Sequence, residues 1–459
     1  MSDAGLQAAV ALMARDGASD AARAVFSRFY RLLESGASGL LHEADLTPVQ
    51  QLPALADVSV DEAVMREAFA ATAVIKLNGG LATSMGLDRA KSLLPVKGAT
   101  TFLDVIVRQV LAARQRYDAP LPLLLMDSFR TQADTLAALA THAGLAVDGL
   151  PLSFLQNREP KLRADDLTPV SWPADPELAW CPPGHGDLYP ALHGSGLLAR
   201  LVELGYRYAF VSNADNLGAR PDPRIAGWMA AGQVPFALES VRRTAADRKG
   251  GHLAVLTSDG HLVLRETAQT APEDQAALQD TTRHPFCNTN NLWVDLVVLK
   301  GVLDETGGVL ELPLIRNSKQ VDPTDPTSPQ VIQLEAAMGA AVQVFEGARS
   351  LLVERDRFVP VKTTNDLLVL RSDLYALTDD GVLVPGATRT VVDDTFVDLD
   401  PAHFGHLTGF AAHFPQGPPS LAACTSLVVR GDVTFGRDVI CTGDVTVEDV
   451  DVPDRARLP

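Results

Sequence analysis

The sequence has no long apolar run, few cysteines and no excess of basic residues. Its 459 residues include only 4 cysteines, which lie far apart and form no CxxC pair. This spacing argues against a disulfide framework and a zinc site, and it fits reduced thiols in a cytoplasm. The longest apolar stretches, such as residues 121–126, are far shorter than the ~20 residues that cross a bilayer, so no membrane span is expected. Lys and Arg number 39 against 57 Asp and Glu, and the net charge of −18 argues against nucleic-acid binding through a broad basic surface.

The composition is that of a folded globular protein. Hydrophobic residues make up 46 % of the chain and charged residues 21 %, which excludes a mostly disordered chain. At ~150 residues per domain, the length predicts two to three domains. The start of the chain contains Asp3 and Gln7 and no basic residue, which favours an amphipathic helix over a signal peptide. The predicted divisions are a helical N-terminal region (1–70), a central region of alternating strands and helices (71–385) and a β-rich C-terminal domain (386–459).

Short apolar strands alternate with helices in the central region. Strands separated by helices predict an α/β fold with a parallel, doubly wound sheet, which binds ligands at the carboxyl ends of its strands. Asn78, Gln156 and Asn213 follow or end predicted strands, so we expect them to lie near one another. The predicted strands cover 73–77, 121–126, 152–156, 208–212 and a hairpin at 252–256 and 261–265; the predicted helices cover 102–117, 131–143 and 366–377.

An apolar residue recurs every six positions near the C-terminus, at Leu427, Val433, Val439 and Val445. Such a period predicts the coils of a β-helix, with a plain β-meander as the alternative. A separate β-domain that begins near Gly386 is expected in either case. The open end of a β-helix presents unpaired backbone groups, so self-association through this domain is also expected.

The first of five polar loops follows the strand at 73–77. Gly79 and Gly80 allow backbone N–H groups to approach a phosphate closely, and Lys91 supplies a point charge for the same polyphosphate. The loop matches neither the P-loop nor the dinucleotide-binding pattern. The alternative is a tight turn with a solvated lysine.

The other four loops each present one or two candidate ligand groups. His185 stands between glycines on a proline-stiffened loop, and Asp215 follows a strand, where a carboxylate suits Mg²⁺. Asn288 and Asn290 offer amides to hydroxyl groups, and Lys362 precedes a helix and is placed to reach a phosphate. Each loop also has a purely structural alternative. The alternatives are an idle surface turn for His185, an Asx turn or helix cap for Asp215, a polar turn for Asn288 and Asn290, and an ordinary surface lysine for Lys362.

Taken together, these loops carry longer motifs that match one family in order. The chain resembles the UTP–glucose-1-phosphate uridylyltransferases, or UDP-glucose pyrophosphorylases, of the type best known in eukaryotes. The resemblance implies a doubly wound, mixed-sheet nucleotidyltransferase (GT-A-like) core at 71–385, preceded by a helical region and followed by a left-handed β-helix. The matching motifs are KLNGGLATSMG (76–86), PPGHGDLYPAL (182–192), FVSNADNLGA (210–219), CNTNNLWV (287–294), QLEAAMGAA (333–341) and ERDRFVPVKTTNDLL (354–368).

The resemblance implies the reaction UTP + glucose 1-phosphate ⇌ UDP-glucose + pyrophosphate, with Mg²⁺ as cofactor and a cytoplasmic location. The partners are small-molecule substrates, without nucleic acid or membrane. The residue roles that it implies are the following: catalytic Lys91 and Lys362; nucleotide-binding Leu77, Asn78, Gly79, Gly80, Met85, Gln156 and Gly184; sugar- or sugar-phosphate-binding His185, Asn213, Asn288, Asn290 and Glu335; and metal-binding Asp215.

Three positions depart from the family's pattern. Ala82 replaces a glycine in the nucleotide loop and therefore requires a negative φ. Ala90 replaces a proline, and Ala336 replaces a serine or threonine on the sugar side. The alternative functions are a pyrophosphorylase for another sugar, such as N-acetylglucosamine or galactose 1-phosphate, and a non-catalytic nucleotide-sugar-binding protein. A glycosyltransferase is disfavoured because it would not need the lysine pair.

Overall fold

The computed structural model describes residues 2–37, 39–244, 247–248, 250–392 and 394–459. Its helices are α1 (Ser2–Arg15), α2 (Asp20–Glu34), α3 (Glu62–Ala70), α4 (Phe102–Tyr117), α5 (Gln132–Leu139), α6 (Leu188–Gly194), α7 (Leu197–Glu203), α8 (Pro223–Gly232), α9 (Gln275–Gln279), α10 (Leu296–Glu305), α11 (Thr364–Arg371), α12 (Pro401–Phe404) and α13 (Leu407–His413). Its strands are β1 (Leu46–Pro48), β2 (Thr72–Leu77), β3 (Pro95–Lys97), β4 (Thr100–Thr101), β5 (Leu123–Asp127), β6 (Ser153–Leu155), β7 (Glu159–Pro160), β8 (Leu162–Arg163), β9 (Trp180–Cys181), β10 (Tyr208–Asn213), β11 (Phe236–Arg242), β12 (His252–Leu256), β13 (Leu262–Arg265), β14 (Phe286–Asp295), β15 (Ile315–Gln320), β16 (Gln330–Glu335), β17 (Arg349–Leu352), β18 (Tyr375–Leu377), β19 (Leu383–Pro385), β20 (Phe396–Leu399), β21 (Ser420–Arg430), β22 (Ile440–Glu448) and β23 (Arg457–Leu458).

A large mixed sheet forms the centre of the molecule, as expected. Its strand order is β1-β12-β14-β10-β2-β5-β6, with β11 paired to β14 and β17, and β13 paired to β12. Strands β10, β2, β5 and β6 are parallel, whereas β14 runs antiparallel to β10 and β11. Asn213 pairs with Leu77, and Asp127 pairs with Leu155, so these parallel strands end at one edge of the sheet.

Hydrophobic cores cover both faces of this sheet. Side chains alternate between the two faces along a strand, so in β2 Val74 joins one core and Ile75 the other. Phe26, Phe29 and Tyr30 of α2 pack with Ile75 in the second core. The first core extends from α4 into the C-terminal region. No helix in the described part of the chain is long and apolar enough to cross a bilayer.

Several predicted elements are present at or near their expected bounds. Helix α4 begins and ends where its apolar spacing predicts, and β12 and β13 form the predicted antiparallel hairpin. The helix predicted for 366–377 is wrong at its C-terminal end. It ends at Arg371 because Ser372 is extended, and the following residues form β18, which pairs with β19.

The C-terminal sheet is parallel throughout, in the order β20-β21-β22-β23. Leu427 of β21 pairs with Val445 of β22, 18 residues later. Leu427, Val433, Val439 and Val445 are all buried. A meander pairs neighbouring strands antiparallel, so the parallel register contradicts that alternative. The two predicted domain boundaries, at 70/71 and 385/386, stay predictions.

Candidate active site

An open cleft of about 270 Å³ lies at the sheet edge where β2, β5, β6 and β10 end. Loops that are distant in the sequence converge there because parallel strands present their carboxyl ends on one side. The cleft is lined by Leu77, Asn78, Gly79, Gly80, Lys91, Ser92, Met126, Gln156, Pro182, Gly184, His185, Asn213, Ala214 and Asp215. Most of the predicted nucleotide-site residues are therefore brought together.

The predicted nucleotide loop, residues 78–86 after β2, is anchored by Asn78, whose side chain points into the protein. Its Nδ2 donates to Asp127 Oδ1 at 2.7 Å and to Thr135 Oγ1 at 2.9 Å. A Cβ on Gly79 would lie 2.6 Å from Gln156 Oε1, so only glycine lets the Gln156 amide lie this close to the loop. Ala82 has a φ of −84°, as its extra methyl group requires.

His185 begins a short 3₁₀ turn after Gly184. Gly184 has a φ of +77°, and a Cβ on it would lie 2.7 Å from the Ala336 carbonyl oxygen, so glycine is required for two reasons. The Met338 backbone N–H donates to His185 Nδ1 at 2.9 Å. Burial, with a contribution from the charge of Lys362, lowers the pKa of His185 to about 4. The imidazole is therefore neutral at pH 7 and carries its proton on Nε2, where it can donate to a substrate oxygen.

Two lysines meet one aspartate at the cleft: Lys91 and Asp215 line it, whereas Lys362 reaches Asp215 from outside the lining. Lys91 Nζ lies 2.9 Å from Asp215 Oδ2, and Lys362 Nζ lies 3.3 Å from the same oxygen. Lys91 also donates to the Val361 carbonyl. Asp215 Oδ1 is buried and accepts no hydrogen bond from the described residues. One carboxylate oxygen thus holds two ammonium groups, and the other is left for a further cation.

A buried polar network holds the Lys362 segment against the Asp215 loop. Val361 N–H donates to the Asp215 carbonyl at 3.1 Å. Asn216 Nδ2 donates to the Arg357 carbonyl at 3.1 Å. The Arg357 guanidinium in turn forms bonds of 2.8 and 2.6 Å with the Glu239 carboxylate. Because both charges are paired and buried, this network fixes the approach of Lys362 to the cleft.

The remaining predicted residues do not line the cleft itself. Met85 is buried in a 3₁₀ turn of the nucleotide loop. Asn288 Nδ2 donates to Asn290 Oδ1 at 2.9 Å, so these amides bind each other. Glu335 accepts from Asn317 at 3.1 Å and lies beside Gly184. The sugar-binding roles of Asn288, Asn290 and Glu335 stay predictions.

Sequence reasoning assigned no role to Ser92, which lines the cleft, or to Asp187, which lies two residues after His185 and outside the lining. Ser92 lies next to Lys91 in the same motif, and its Oγ is buried without a hydrogen-bond partner in the described residues. Asp187 is buried at the end of the His185 turn and bonds the residue after Gln156. In the sequence, the only indication of a role was that each residue lies near a predicted site residue. Their burial and their hydrogen-bond partners are known only from the structure.

The geometry agrees with comparisons to known proteins. Residues 24–442 match the family model described as UTP–glucose-1-phosphate uridylyltransferase. The chain is 38 % identical to the enzyme of that name from Solanum tuberosum over 394 residues, which is 86 % of this chain and 80 % of that protein.

Solved structures resemble the whole described fold. A UDP-glucose pyrophosphorylase variant from Leishmania major, crystallised with UDP-glucose, is 42 % identical with a TM-score of 0.93, and the match covers 99 % of this chain and 98 % of that one. A UDP-glucose phosphorylase from Trypanosoma brucei is 41 % identical with a TM-score of 0.92 and the same coverage. Because both sequence and fold match over most of its length, the chain belongs to the UTP–glucose-1-phosphate uridylyltransferase family.

Proposed function

We propose that the protein converts UTP and glucose 1-phosphate to UDP-glucose and pyrophosphate, reversibly. The observation that carries this proposal is the convergence of Lys91 and Lys362 on Asp215 beside the nucleotide loop. A protein that only binds a nucleotide sugar would not need two lysines and a carboxylate at the position where the phosphates of UTP and the sugar phosphate are proposed to meet. The names of the relatives in Solanum tuberosum and Leishmania major support the same reaction.

The chemistry asks mainly for positioning and charge neutralisation. An oxygen of the sugar phosphate attacks the α-phosphorus of UTP, and pyrophosphate leaves in line. The sugar phosphate is already a nucleophile, so no activated serine or cysteine is required. Lys91 would bind the pyrophosphate side, Lys362 would bridge phosphates of both substrates, and the His185 Nε2–H would donate to the sugar phosphate. The two lysines would thereby hold two anionic substrates, UTP and the sugar phosphate, close to each other.

Asp215 is the proposed ligand of Mg²⁺. Its buried Oδ1, which has no hydrogen-bond partner in the described residues, fits a hard cation that prefers carboxylate oxygen. Mg²⁺ usually takes one or two carboxylates and completes its shell with substrate phosphates and water, so a single aspartate is sufficient. When bound, the ion would neutralise charge on the phosphate oxygens.

The side chains around the sugar, and not the phosphate-binding residues, determine which sugar 1-phosphate is the substrate. Asn213 is the proposed sugar contact from the cleft lining, with Asn288, Asn290 and Glu335 as candidates for hydroxyl groups. Ala336 packs against the Gly184 and Gly186 turn in place of the family's hydroxyl residue. Glucose remains the proposed substrate because the relatives with the same fold are named for it.

An assay of pyrophosphate release tests the function directly. UTP is offered with glucose, galactose or N-acetylglucosamine 1-phosphate, with Mg²⁺ present. We expect the highest kcat/KM for glucose 1-phosphate. Greater turnover of another sugar would identify a related pyrophosphorylase. Nucleotide-sugar binding without pyrophosphate release from any pair would identify a non-catalytic binding protein.

Gln156 is predicted to read the uracil base, since an amide both donates and accepts at the base edge. Gln156→Ala should raise KM for UTP about tenfold and reduce the preference for UTP over CTP, because an unpaired polar edge discriminates strongly. Steady-state kinetics with both nucleotides measures this, with the exposed Gln51→Ala as a matched control. Unchanged selectivity in Gln156→Ala would remove the residue from base recognition.

The C-terminal domain is proposed to be a left-handed β-helix that joins copies of the chain. Its support is the 18-residue parallel register and the edge strand β23, which pairs only with β22 in the described residues. Sedimentation of the full chain should show concentration-dependent dimers, and Leu458→Lys on β23 should shift them toward monomer. A monomer at all concentrations would refute the assembly.

The four cysteines are all buried and free, which supports the proposed cytoplasmic location.

A further inference from the structure

A buried carboxylate connects two loops of the cleft. Asp187 lies two residues after His185 and is almost completely buried. Its Oδ2 accepts the Asn157 backbone N–H at 2.5 Å, and its Oδ1 accepts Asn157 Nδ2 at 2.8 Å. The aspartate thus holds both donors of the residue that follows Gln156.

The two bonds restrict the Gln156 side chain through the peptide chain. The Gln156 N–H donates to the Asp127 carbonyl at 2.8 Å on one side, and Asn157 is held by Asp187 on the other. The Gln156 amide lies against Gly79, where a Cβ would be 2.6 Å from Oε1. A shift of Asn157 would therefore move the amide away from the nucleotide loop.

The chemical nature of Asp187 matters as well as its position. Both of its oxygens face N–H donors, so an amide in its place would present its own NH₂ to one of them. Burying a carboxylate is costly, and a role in shape alone would not require the charge. Glu159, with a buried Oε1 that lacks a partner in the described residues, lies close enough to interact with it electrostatically.

We propose that Asp187 is a positioning residue for nucleotide recognition. It holds Gln156 at the edge of the uracil base and connects the segment of Gln156 and Asn157 to the His185 turn. This inference rests on the proposed function. The base lies away from the reacting phosphorus, so loss of the aspartate should weaken the ground state and the transition state equally. The expected signature is a higher KM for UTP with a nearly unchanged kcat.

The first test measures UDP-glucose binding by calorimetry and UTP turnover by kinetics. Asp187→Asn should weaken binding and raise KM for UTP about tenfold, while kcat changes less than about threefold. Asn157→Ala, which removes one bond from the other partner, should give a smaller effect in the same direction. The exposed Asp165→Asn serves as a matched control, and circular dichroism checks folding.

A double-mutant cycle separates positioning from mere structural damage. If Asp187 acts through Gln156, then Asp187→Asn should add little to the loss already caused by Gln156→Ala. Full additivity, or wild-type UTP kinetics in Asp187→Asn, would overturn the proposal. Failure of the wild-type enzyme to release pyrophosphate would instead refute the proposed function, while binding of UDP-glucose still tests the positioning role.

The pH dependence of UDP-glucose binding gives an independent readout. Burial raises the pKa of Asp187 to about 7, and only the deprotonated form offers acceptors to both Asn157 donors. Wild-type affinity should therefore fall as the pH drops from about 8 to 6, and Asp187→Asn should abolish that slope. UDP-glucose has no terminal phosphate, which would itself titrate near pH 6.

The neighbouring charged groups must be separated from this effect. Glu159 interacts electrostatically with Asp187 and with Glu335. His185 lies two residues before Asp187, and burial lowers the pKa of His185 to about 4, below the tested range. Glu159→Gln should shift the midpoint of the wild-type slope without abolishing it. A slope that persists in Asp187→Asn and disappears in Glu159→Gln would assign the titration to Glu159 and overturn this part of the proposal.

Discussion

Replacement of Lys362 by alanine is expected to lower kcat by roughly 10²- to 10³-fold, the scale of one lost charge-stabilising donor. The Lys362 ammonium lies 3.3 Å from Asp215 Oδ2 beside the cleft, where phosphates of both substrates are proposed to meet. Charge spreads over the oxygens of the α-phosphorus in the transition state, so a cation fixed there stabilises it more than the ground state. Folding should survive, because the side chain is 58 % exposed and such ion pairs contribute little to stability.

The measurement is steady-state kinetics in both reaction directions. Lys362→Arg keeps the charge but changes reach and geometry, so it should restore activity only in part. Lys300→Ala, on helix α10 and paired with Asp304, is a control for loss of a surface lysine. A folded Lys362→Ala enzyme with near-normal kcat would leave Lys91 and the metal as the proposed charge stabilisers.

Asp215→Asn is expected to raise the half-saturating Mg²⁺ concentration at least about tenfold and to lower kcat at low Mg²⁺. The substitution removes the one carboxylate of the cleft lining, and with it the anion that holds Lys91 and Lys362. The asparagine keeps the shape of the side chain but offers a weaker neutral oxygen to the ion. The two lysines would also repel each other without the negative charge between them.

Initial rates over a Mg²⁺ titration, at saturating UTP and glucose 1-phosphate, measure this effect. Asp356→Asn, on a nearby exposed turn, is a matched control because Asp356 pairs with Arg220 at the surface. Wild-type rate and wild-type Mg²⁺ dependence in Asp215→Asn would exclude Asp215 as the ligand. A lower kcat without any change in Mg²⁺ dependence would restrict its role to holding the lysines.

The sequence was most informative where structure follows from local spacing. Helix α4 carries its apolar residues on one face and has Thr101 as its N-terminal cap, so its bounds are evident from nearby residues alone. Helix α11 shows the limit: the pattern continues past Arg371, but Ser372 turns extended and the chain pairs with β19 instead. The Arg371 and Ser372 carbonyls also accept hydrogen bonds from Lys97 Nζ, which is far away in the sequence, so contacts outside the helix determine where it ends.

The sequence by itself determined the family, because a chance match to several motifs of eight or more residues is implausible. The family in turn identified the residues to test. Only the tertiary structure decided how those residues combine. Lys91, Asp215 and Lys362 are separated by more than a hundred residues each, and their meeting depends on the parallel order of β10 and β2 and on the Arg357–Glu239 network. The role inferred for Asp187 depends on its burial and on its two hydrogen bonds to Asn157. Burial and surrounding donors determine the pKa and the contacts of a carboxylate, and only the tertiary structure provides them.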